Sequence, residues 1–253
     1  ELASRAHLQH IVPVAKAALD EARILQPREE ITAIAFTQSP GLVGSLLVGA
    51  QFAKSLSTAW NKPLIPVHHM QAHVLANLID DPKPEFPFLC LTVSGGHTQI
   101  VICESPMNLK VIGETIDDAA GEAFDKVARI MDLPFPGGPA IDAESKSGNP
   151  SAIDFPRGLT LPKDLTDHKY DFSFSGLKTS VSRYLAQTPE YIRADVAASF
   201  QEAVVDVLVD KSIKAAQENG IENLIIAGGV GANSRLREVA KERCDRSGIN
   251  LRT

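Results

Sequence analysis

The chain has 253 residues, of which 44% are hydrophobic and 22% charged, and its formal net charge is −6 at pH 7. This composition is typical of a soluble globular protein that buries a substantial core. The acidic balance argues against a broad non-specific nucleic-acid surface, while a local basic groove remains compatible with it. The three cysteines are far apart and in no C-x-x-C arrangement, so neither a disulfide framework nor a cysteine zinc site is predicted.

The hydropathy pattern predicts no membrane segment. The longest strongly apolar run, Gly41–Ala50, is far shorter than the roughly 20 residues that a spanning helix needs. The first residues lack the basic and apolar regions of a secretory signal. Together with the cysteine usage, these features predict a cytoplasmic location.

The first third of the chain alternates between predicted helices and strands. An amphipathic helix over Leu2–Leu25 precedes a buried strand, Ile31–Thr37, and a Pro-Gly turn then opens a helix. The strand "LIPVH" leads directly into a helix that carries histidines. This order predicts a parallel α/β sheet. The proline-rich segment Asp81–Phe88 marks the expected boundary between a first domain, residues 1–84, and a second, residues 85–253.

The rest of the chain begins as a hairpin and continues with helices. "FLCLTVSGGHTQIVICES" predicts two strands around a Gly-Gly turn, and "LKVIGETI" predicts a third strand. The last part predicts a strand "NLIIAGG", a helix "NSRLREVAKERC" and the start of a strand "INLRT". Four helices are predicted in between, at Ala119–Met131, Pro139–Ser147, Ser175–Ala186 and Tyr191–Asn219.

The histidines of the "VHHMQAH" stretch have metal-ligand spacing. On a helix, His69 and His73 project from one face with Cβ atoms about 5–6 Å apart. Zinc proteases use H-E-x-x-H, in which the glutamate is the general base, and Met70 occupies that position here. A thioether takes no proton from water, so a metal at this pair would not activate water in the protease manner. A surface helix that carries histidines without a metal is the alternative.

Two glycine pairs predict backbone-lined turns. Ser94, Gly95 and Gly96 form a tight hairpin turn whose N–H groups suit phosphate oxygens, although an ordinary hairpin would look the same. In "PGGPAID", a helix is predicted to begin near Pro139, and free amides at a helix start attract anions. Asp142, one turn later, is a candidate ligand of ribose hydroxyls or a residue that favours the helix dipole.

A third glycine pair and an acidic helix complete the candidate features. Gly228 and Gly229 break a buried strand before a helix that begins near Asn233, without the G-x-G-x-x-G spacing of a Rossmann fingerprint. On the helix of "DDAAGEAFDKVAR", the carboxylates of Asp118, Glu122 and Asp125 fall on one face. That face is either solvated or a site that meets hydroxyls or a cation.

Seven segments, in order along the chain, resemble the TsaD family, also called YgjD or Gcp, whose archaeal and eukaryotic relatives belong to the KEOPS complex. They are "SPGLVGSLLVG", "VHHMQAH", "VSGGHTQIV", "DDAAGEAFDKVAR", "GGPAID", "FSFSGLKT" and "GGVGAN". The resemblance implies an α/β fold of the actin-like and Hsp70-like two-lobed ATPase type, with residues 1–84 and 85–253 as the lobes. Because the family's first strand and phosphate loop and its C-terminal aspartate ligand have no counterpart here, we expect a fold truncated at both ends.

The resemblance also implies a reaction, ligands and partners. The family moves a threonylcarbamoyl group from threonylcarbamoyl-adenylate to the tRNA adenosine 3′ of the anticodon. It implies one divalent metal, iron or zinc, ATP or threonylcarbamoyl-adenylate as ligand, tRNA as substrate, and TsaB-like and TsaE-like or KEOPS-like partner proteins. A metal-dependent glycoprotein endopeptidase and a non-catalytic nucleotide-binding scaffold are the alternatives.

Site residues follow from the resemblance position by position. His69 and His73 are the implied metal ligands. No general base is identified; His97 is a candidate by its location alone, and a structural hydrogen bond is the alternative. The implied substrate-binding residues are Thr92, Val93, Ser94, Gly95 and Gly96 at the acyl-phosphate end, and Asp125, Gly138, Asp142 and Asn233 at the adenosine part.

Overall fold

The computed structural model describes residues 2–253, which form two compact units. The first unit ends at Ala76 and the second is Asn77–Thr253. The division falls ahead of the boundary that proline content predicts after residue 84. Within the described residues, no helix is long and apolar enough to cross a membrane.

The first unit contains a pair of parallel strands and four helices. β1 and β2 pair in parallel from Ile34 opposite Leu64, as the order of elements predicts. The elements are α1 (Leu2–Glu21), α2 (Pro27–Glu30), β1 (Ile34–Ser39), α3 (Val43–Trp60), β2 (Leu64–His68) and α4 (His69–Leu75).

Two element boundaries in this unit differ from the sequence prediction. β1 begins at Ile34 instead of Ile31, because Ile31 still caps α2 and donates its N–H to the carbonyl of Pro27. α1 ends at Glu21 instead of Leu25, since Arg23 has a φ of 57°, in the left-handed region that no helix residue adopts. Neither the cap at Ile31 nor the turn at Arg23 changes the spacing of hydrophobic residues, so the sequence pattern does not show these element boundaries.

The second unit is built on a five-stranded sheet of order β5-β4-β3-β6-β7. β3, β4 and β5 form an antiparallel meander, which confirms the predicted hairpin, while β6 and β7 run parallel to β3. The strands are β3 (Phe88–Val93), β4 (Thr98–Ser105), β5 (Asn108–Glu114), β6 (Asn223–Ala227) and β7 (Asn250–Arg252).

Six helices complete the second unit. They are α5 (Ala120–Ile130), α6 (Gly137–Ser145), α7 (Asp164–Asp167), α8 (Ser175–Gln187), α9 (Arg193–Glu218) and α10 (Ser234–Ser247). α6 begins two residues before the predicted Pro139. The one-turn helices α2 and α7 were not predicted, because four residues are too few to show helical periodicity.

One continuous hydrophobic core holds the second unit together. Every residue of β3 is buried, so this central strand is covered on both faces. α9 supplies the largest share of buried side chains, among them Phe200, which packs edge-on against Phe124 with ring centroids 5.2 Å apart. Full burial of each such side chain stabilises the fold by roughly 1.5–3 kcal/mol. The core therefore fixes the end of β3, where the candidate site begins.

Candidate functional site

A cavity of about 360 Å³ lies where the parallel strands β3 and β6 end. Ligands of open α/β sheets bind at the carboxyl ends of parallel strands, and this volume is within the usual range of small-molecule sites. Its wall is made of small residues, prolines and two aspartates. These are Gly95, Gly121, Asp125, Pro136, Gly138, Pro139, Asp142, Gly229, Val230, Ala232 and Asn233.

Two glycines allow the backbone segments of the cavity to approach one another. Gly228 has a φ of +97°, and a Cβ there would lie 2.4 Å from the carbonyl oxygen of Val93. A Cβ on Gly121 would lie 2.6 Å from the carbonyl oxygen of Ser94, to which the Gly121 N–H donates a hydrogen bond. Both distances are shorter than any real Cβ contact, so only glycine fits. The lining glycines Gly95, Gly121, Gly138 and Gly229 therefore expose backbone to the cavity.

Three helix N-termini border the cavity. α5, α6 and α10 begin at Ala120, Gly137 and Ser234, next to lining residues. The first amides of a helix and its dipole favour a negatively charged group. Asp125 accepts a hydrogen bond from the Gly137 N–H at 2.7 Å through Oδ1, which ties the start of α6 to α5.

Asp142 and Asn233 tie the remaining elements together. Oδ1 of Asp142 accepts a hydrogen bond from the Ser234 hydroxyl at 2.8 Å, which links α6 to the start of α10. Asn233 caps α10, since its Oδ1 accepts the Leu236 N–H at 2.9 Å. Its Nδ2 donates to the Oε1 atom of buried Gln201 at 2.7 Å. The wall of the cavity is thus held rigidly by hydrogen bonds from the core.

The structure brings five of the nine predicted substrate-binding residues into the cavity wall: Gly95, Asp125, Gly138, Asp142 and Asn233. Thr92 and Val93 are fully buried within β3. Ser94 is occupied inside the hairpin turn, where its Oγ accepts the His97 N–H at 3.1 Å and its own N–H donates to the His97 carbonyl. Gly96 lies in the same turn, with open space where a Cβ would be.

Several lining residues were not singled out from the sequence, namely Gly121, Pro136, Val230 and Ala232. A signal existed for Gly121, because a glycine inside an amphipathic helix often has a packing reason. Proline and alanine side chains carry no functional group, so no motif marks these residues as part of a site. Their place in the cavity wall is seen only in the folded structure.

The predicted acidic face of α5 is not one site. Lys126 Nζ lies 2.6 Å from Asp118 Oδ1 and 2.8 Å from Glu122 Oε1, while Asp125 bonds the start of α6 instead. Because two of the three carboxylates are paired with Lys126, the three do not form one common binding site. In residues 2–253, no cluster of three or more histidine, cysteine or acidic side chains is arranged to hold a metal ion.

The histidine pair of the first unit has the geometry of two ligands. The Nε2 atoms of His69 and His73 lie 3.2 Å apart, with ring centroids at 4.6 Å. Two nitrogens on one tetrahedral zinc ion would be about 3.3 Å apart at the usual Zn–N distances of about 2.0–2.1 Å. The pair therefore fits one divalent ion. Met70, beside His69, is buried and places no acid there.

The three cysteines are not candidates for nucleophilic or redox chemistry at the site. Cys90, Cys103 and Cys244 are free and buried, which agrees with the prediction of no disulfide framework. Burial raises the pKa of Cys90 to about 12 and that of Cys244 to about 11. Since the thiolate is the nucleophile, these thiols are inert near neutral pH.

Comparison with known proteins identifies the family. The family model TsaD, described as tRNA N6-adenosine threonylcarbamoyltransferase, matches residues 1–253. A curated protein of that name from Riemerella anatipestifer is 49% identical over 261 residues, covering 99% of this chain and 74% of its own length. One from Christiangramia forsetii is 51% identical over 252 residues, covering 96% of this chain and 72% of its own. The chain belongs to the TsaD family.

Solved structures add information on the fold alone. This TsaD-family chain resembles full-length HypF, solved in a phosphate- and nucleotide-bound form, with a TM-score of 0.64 at 14% identity over 88% of the chain. It resembles T. kodakarensis HypF with a TM-score of 0.66 at 11% identity over 93% of the chain. The chain spans 36% and 39% of those proteins. These matches support the mixed α/β fold.

Proposed function

We propose that this TsaD-family chain transfers a threonylcarbamoyl group from threonylcarbamoyl-adenylate to the N6 amine of the tRNA adenosine 3′ of the anticodon. The observation that carries the proposal is the cavity of the second unit, in which three helix N-termini and two aspartates surround backbone exposed at glycines. The names of the matched relatives support the reaction class.

The cavity has the chemistry that an adenylate needs. Asp125 and Asp142 each use Oδ1 for a hydrogen bond within the protein, so each has a second carboxylate oxygen to accept a ribose hydroxyl. The backbone at Gly95 and Gly138 has open space around it, where phosphate oxygens could approach the N–H groups. The donor is a mixed anhydride and already activated, so orientation and charge stabilisation are the main tasks of the protein.

We also propose that His69 and His73 hold one divalent ion, iron or zinc. Their Nε2 separation of 3.2 Å supports this assignment. When bound, the ion would supply Lewis-acid stabilisation of negative charge on the substrate. Because Met70 leaves no base beside the pair, the histidines would not prepare water for hydrolysis, which disfavours the endopeptidase alternative.

The remaining assignments extend the same proposal. The strand order β5-β4-β3-β6-β7 of the second unit supports an actin-like fold. The proposed lobes are residues 1–84 and 85–253, a boundary taken from the proline-rich segment that lies after the division at Ala76. The proposed setting is the cytoplasm, and the proposed partners are tRNA with TsaB-like and TsaE-like proteins or KEOPS-like subunits. The acidic net charge of −6 supports a need for partners that contribute positive charge to tRNA binding.

The first test is direct transfer. The chain is incubated with its partner proteins, threonylcarbamoyl-adenylate and unmodified tRNA, and modified adenosine is measured by mass spectrometry of digested tRNA. Modification that depends on the chain supports the proposal. Nucleotide binding without transfer would favour the non-catalytic scaffold instead.

The role of the cavity is tested with Asp142→Ala, with Ser234→Ala as its matched control. Both variants lose the bond between the two side chains, but only the first loses the carboxylate. We expect Asp142→Ala to weaken ATP binding in calorimetry by about tenfold, the scale of one hydrogen bond to a charged group. Ser234→Ala should bind nearly as the parent does. Equal affinities in all three proteins would remove Asp142 from the site.

A further inference from the structure

Gln201 is a buried polar side chain that lies behind the wall of the cavity. It belongs to α9 and is not one of the residues that line the cavity. Burial of a side-chain amide is costly unless its hydrogen bonds are made within the protein. Its partners are Asn233, which lines the cavity, and Ser145, the last residue of α6. The side chain therefore joins two elements of the site from the side of the core.

A chain of four hydrogen bonds runs through Gln201 from α10 to α6. The Leu236 N–H donates to Oδ1 of Asn233 at 2.9 Å, and Nδ2 of Asn233 donates to Oε1 of Gln201 at 2.7 Å. Nε2 of Gln201 then donates to the Ser145 hydroxyl at 2.9 Å, and this hydroxyl donates to the main-chain carbonyl of Asp142 at 3.0 Å. All three linking side chains are buried.

The two ends of this chain fix the direction of every bond in it. A main-chain N–H only donates and a main-chain carbonyl only accepts. The atom of Asn233 that faces the Leu236 N–H is therefore its oxygen, and its nitrogen faces Gln201. At the other end, the Ser145 hydroxyl gives its hydrogen to the Asp142 carbonyl, so its oxygen accepts from the nitrogen of Gln201. Both amides are thus held in one orientation.

The buried chain is separate from a second link between the same two helices. On the exposed side of the wall, the Ser234 hydroxyl donates to Oδ1 of Asp142. A ligand that bonds the Asp142 carboxylate would compete with that link. The chain through Gln201 uses the main-chain carbonyl of Asp142 instead and is buried. It therefore holds α6 and α10 together independently of the exposed bond.

We propose that Gln201 is a positioning residue of the nucleotide site. It engages one hydrogen of Asn233 Nδ2, and so directs the other towards an acceptor atom of the bound nucleotide. Asn233 then meets the ligand as a hydrogen-bond donor, because its Oδ1 caps α10. The proposal rests on the proposed function, since it takes the cavity as the site of the adenylate.

The test is a double-substitution cycle, with ATP binding measured by calorimetry. Gln201→Met keeps the length of the side chain and removes both of its hydrogen bonds. Asn233→Ser keeps a residue that caps helices well and removes the amide donor. We expect ATP binding about fivefold weaker in Gln201→Met and about tenfold weaker in Asn233→Ser, the scale of one hydrogen bond. The double variant should bind as Asn233→Ser does, because Gln201 acts through that amide.

Ser199→Ala is the matched control for the loss of buried polar contacts on α9. Ser199 is also buried, and its hydroxyl donates to the Asn149 carbonyl at 3.2 Å and accepts the Ile153 N–H at 3.1 Å. None of these residues lines the cavity. Gln201→Met and Ser199→Ala each lose two hydrogen bonds, so both should unfold at lower urea than the parent. Only Gln201→Met should weaken ATP binding.

A second variant interrupts the same chain without changing α9. Ser145→Ala removes the acceptor of Gln201 Nε2 and should weaken ATP binding about two- to threefold, with no further loss when combined with Asn233→Ser. Circular dichroism checks that each variant is folded. If Gln201→Met did not fold, the cycle of Ser145→Ala with Asn233→Ser would decide in its place, by the same criterion.

Three outcomes would overturn this inference. The first is ATP affinity in Gln201→Met equal to that of the parent. The second is losses that multiply in the double variant, to about fiftyfold, since independent effects would mean that Gln201 does not act through Asn233. The third is an Asn233→Ser variant that binds ATP as the parent does. A chain that shows the expected cycle but never modifies tRNA would contradict the proposed function and leave this inference standing.

Discussion

At the scale of single residues, the cavity of the second unit depends on glycines, which have no side chain and so let backbone segments pack closely. Gly121 and Gly228 permit contacts between backbone segments that any Cβ would prevent. Asp125 and Asp142 each use one carboxylate oxygen to hold the start of a helix. Substitution of either aspartate therefore disturbs the wall as well as the proposed ligand contact, which is why matched controls are needed.

The histidine pair gives a prediction at the same scale. His69→Ala should lower the zinc or iron content of the purified chain about tenfold or more, because one nitrogen alone cannot chelate an ion. His10→Ala is the control, since His10 is exposed on α1 and outside the pair. Metal content is measured by inductively coupled plasma mass spectrometry. The same content in His69→Ala and the parent would show that the pair is a surface feature of α4.

At the scale of elements, the sequence predicted those features that depend on neighbouring residues. The hairpin at Gly95 and Gly96 and the long helices α5 and α9 are confirmed, because periodicity and turn residues are local signals. The parallel pairing of β1 with β2 is also confirmed, and it follows from the alternating order of strands and helices.

Features that depend on distant partners were missed. The carboxylate of Asp125 bonds Gly137 N–H, and the Asp117 carboxylate bonds the start of α8, more than 50 residues further along the chain. No spacing rule joins such positions. For the same reason, the sequence could not show which of the residues Thr92 to Gly96 face the cavity and which are enclosed in the sheet or its turn.

The Asp117 contacts give a prediction about α8. Burial raises the pKa of Asp117, but hydrogen bonds from Ser173, Phe174 and Ser175 more than offset this, so its pKa lies below the ordinary value of 3.8. Asp117→Ala should lower the free energy of unfolding by about 1–3 kcal/mol, as hydrogen bonds to a charged group are lost. Exposed Asp167→Ala, on α7, should change it little.

The pH dependence of this effect has a definite sign. A carboxylate with a lowered folded-state pKa stabilises the fold fully above the unfolded-state value, and this contribution is lost as pH falls through the folded-state pKa. The difference in unfolding free energy between parent and Asp117→Ala should thus be constant near neutral pH and shrink below about pH 3.9. Urea denaturation over a pH series measures it. A difference that grows as the pH falls would contradict the assigned role.

At the scale of the whole molecule, the two units differ in how they are stabilised. The continuous hydrophobic core lies entirely within Asn77–Thr253 and includes both faces of β3. In the described part of the first unit, the buried hydrophobic residues are only Ala53, Met70 and Val74. Since burial of apolar surface is the dominant favourable term in folding, the second unit should carry its own stability.

The fragment 77–253 should accordingly fold without the first unit. It contains the five-stranded sheet, the helices that pack on it and every lining residue of the cavity, so the forces that shape the site are internal to it. We expect a single cooperative urea transition, with a midpoint close to that of the main transition of the full chain, and retained near-ultraviolet circular dichroism. The fragment 1–76 is the comparison and should unfold at much lower urea. If 77–253 showed no cooperative transition while the full chain did, the stability of the second unit would have to depend on residues 1–76, and the hydrophobic core would not be sufficient to hold the cavity.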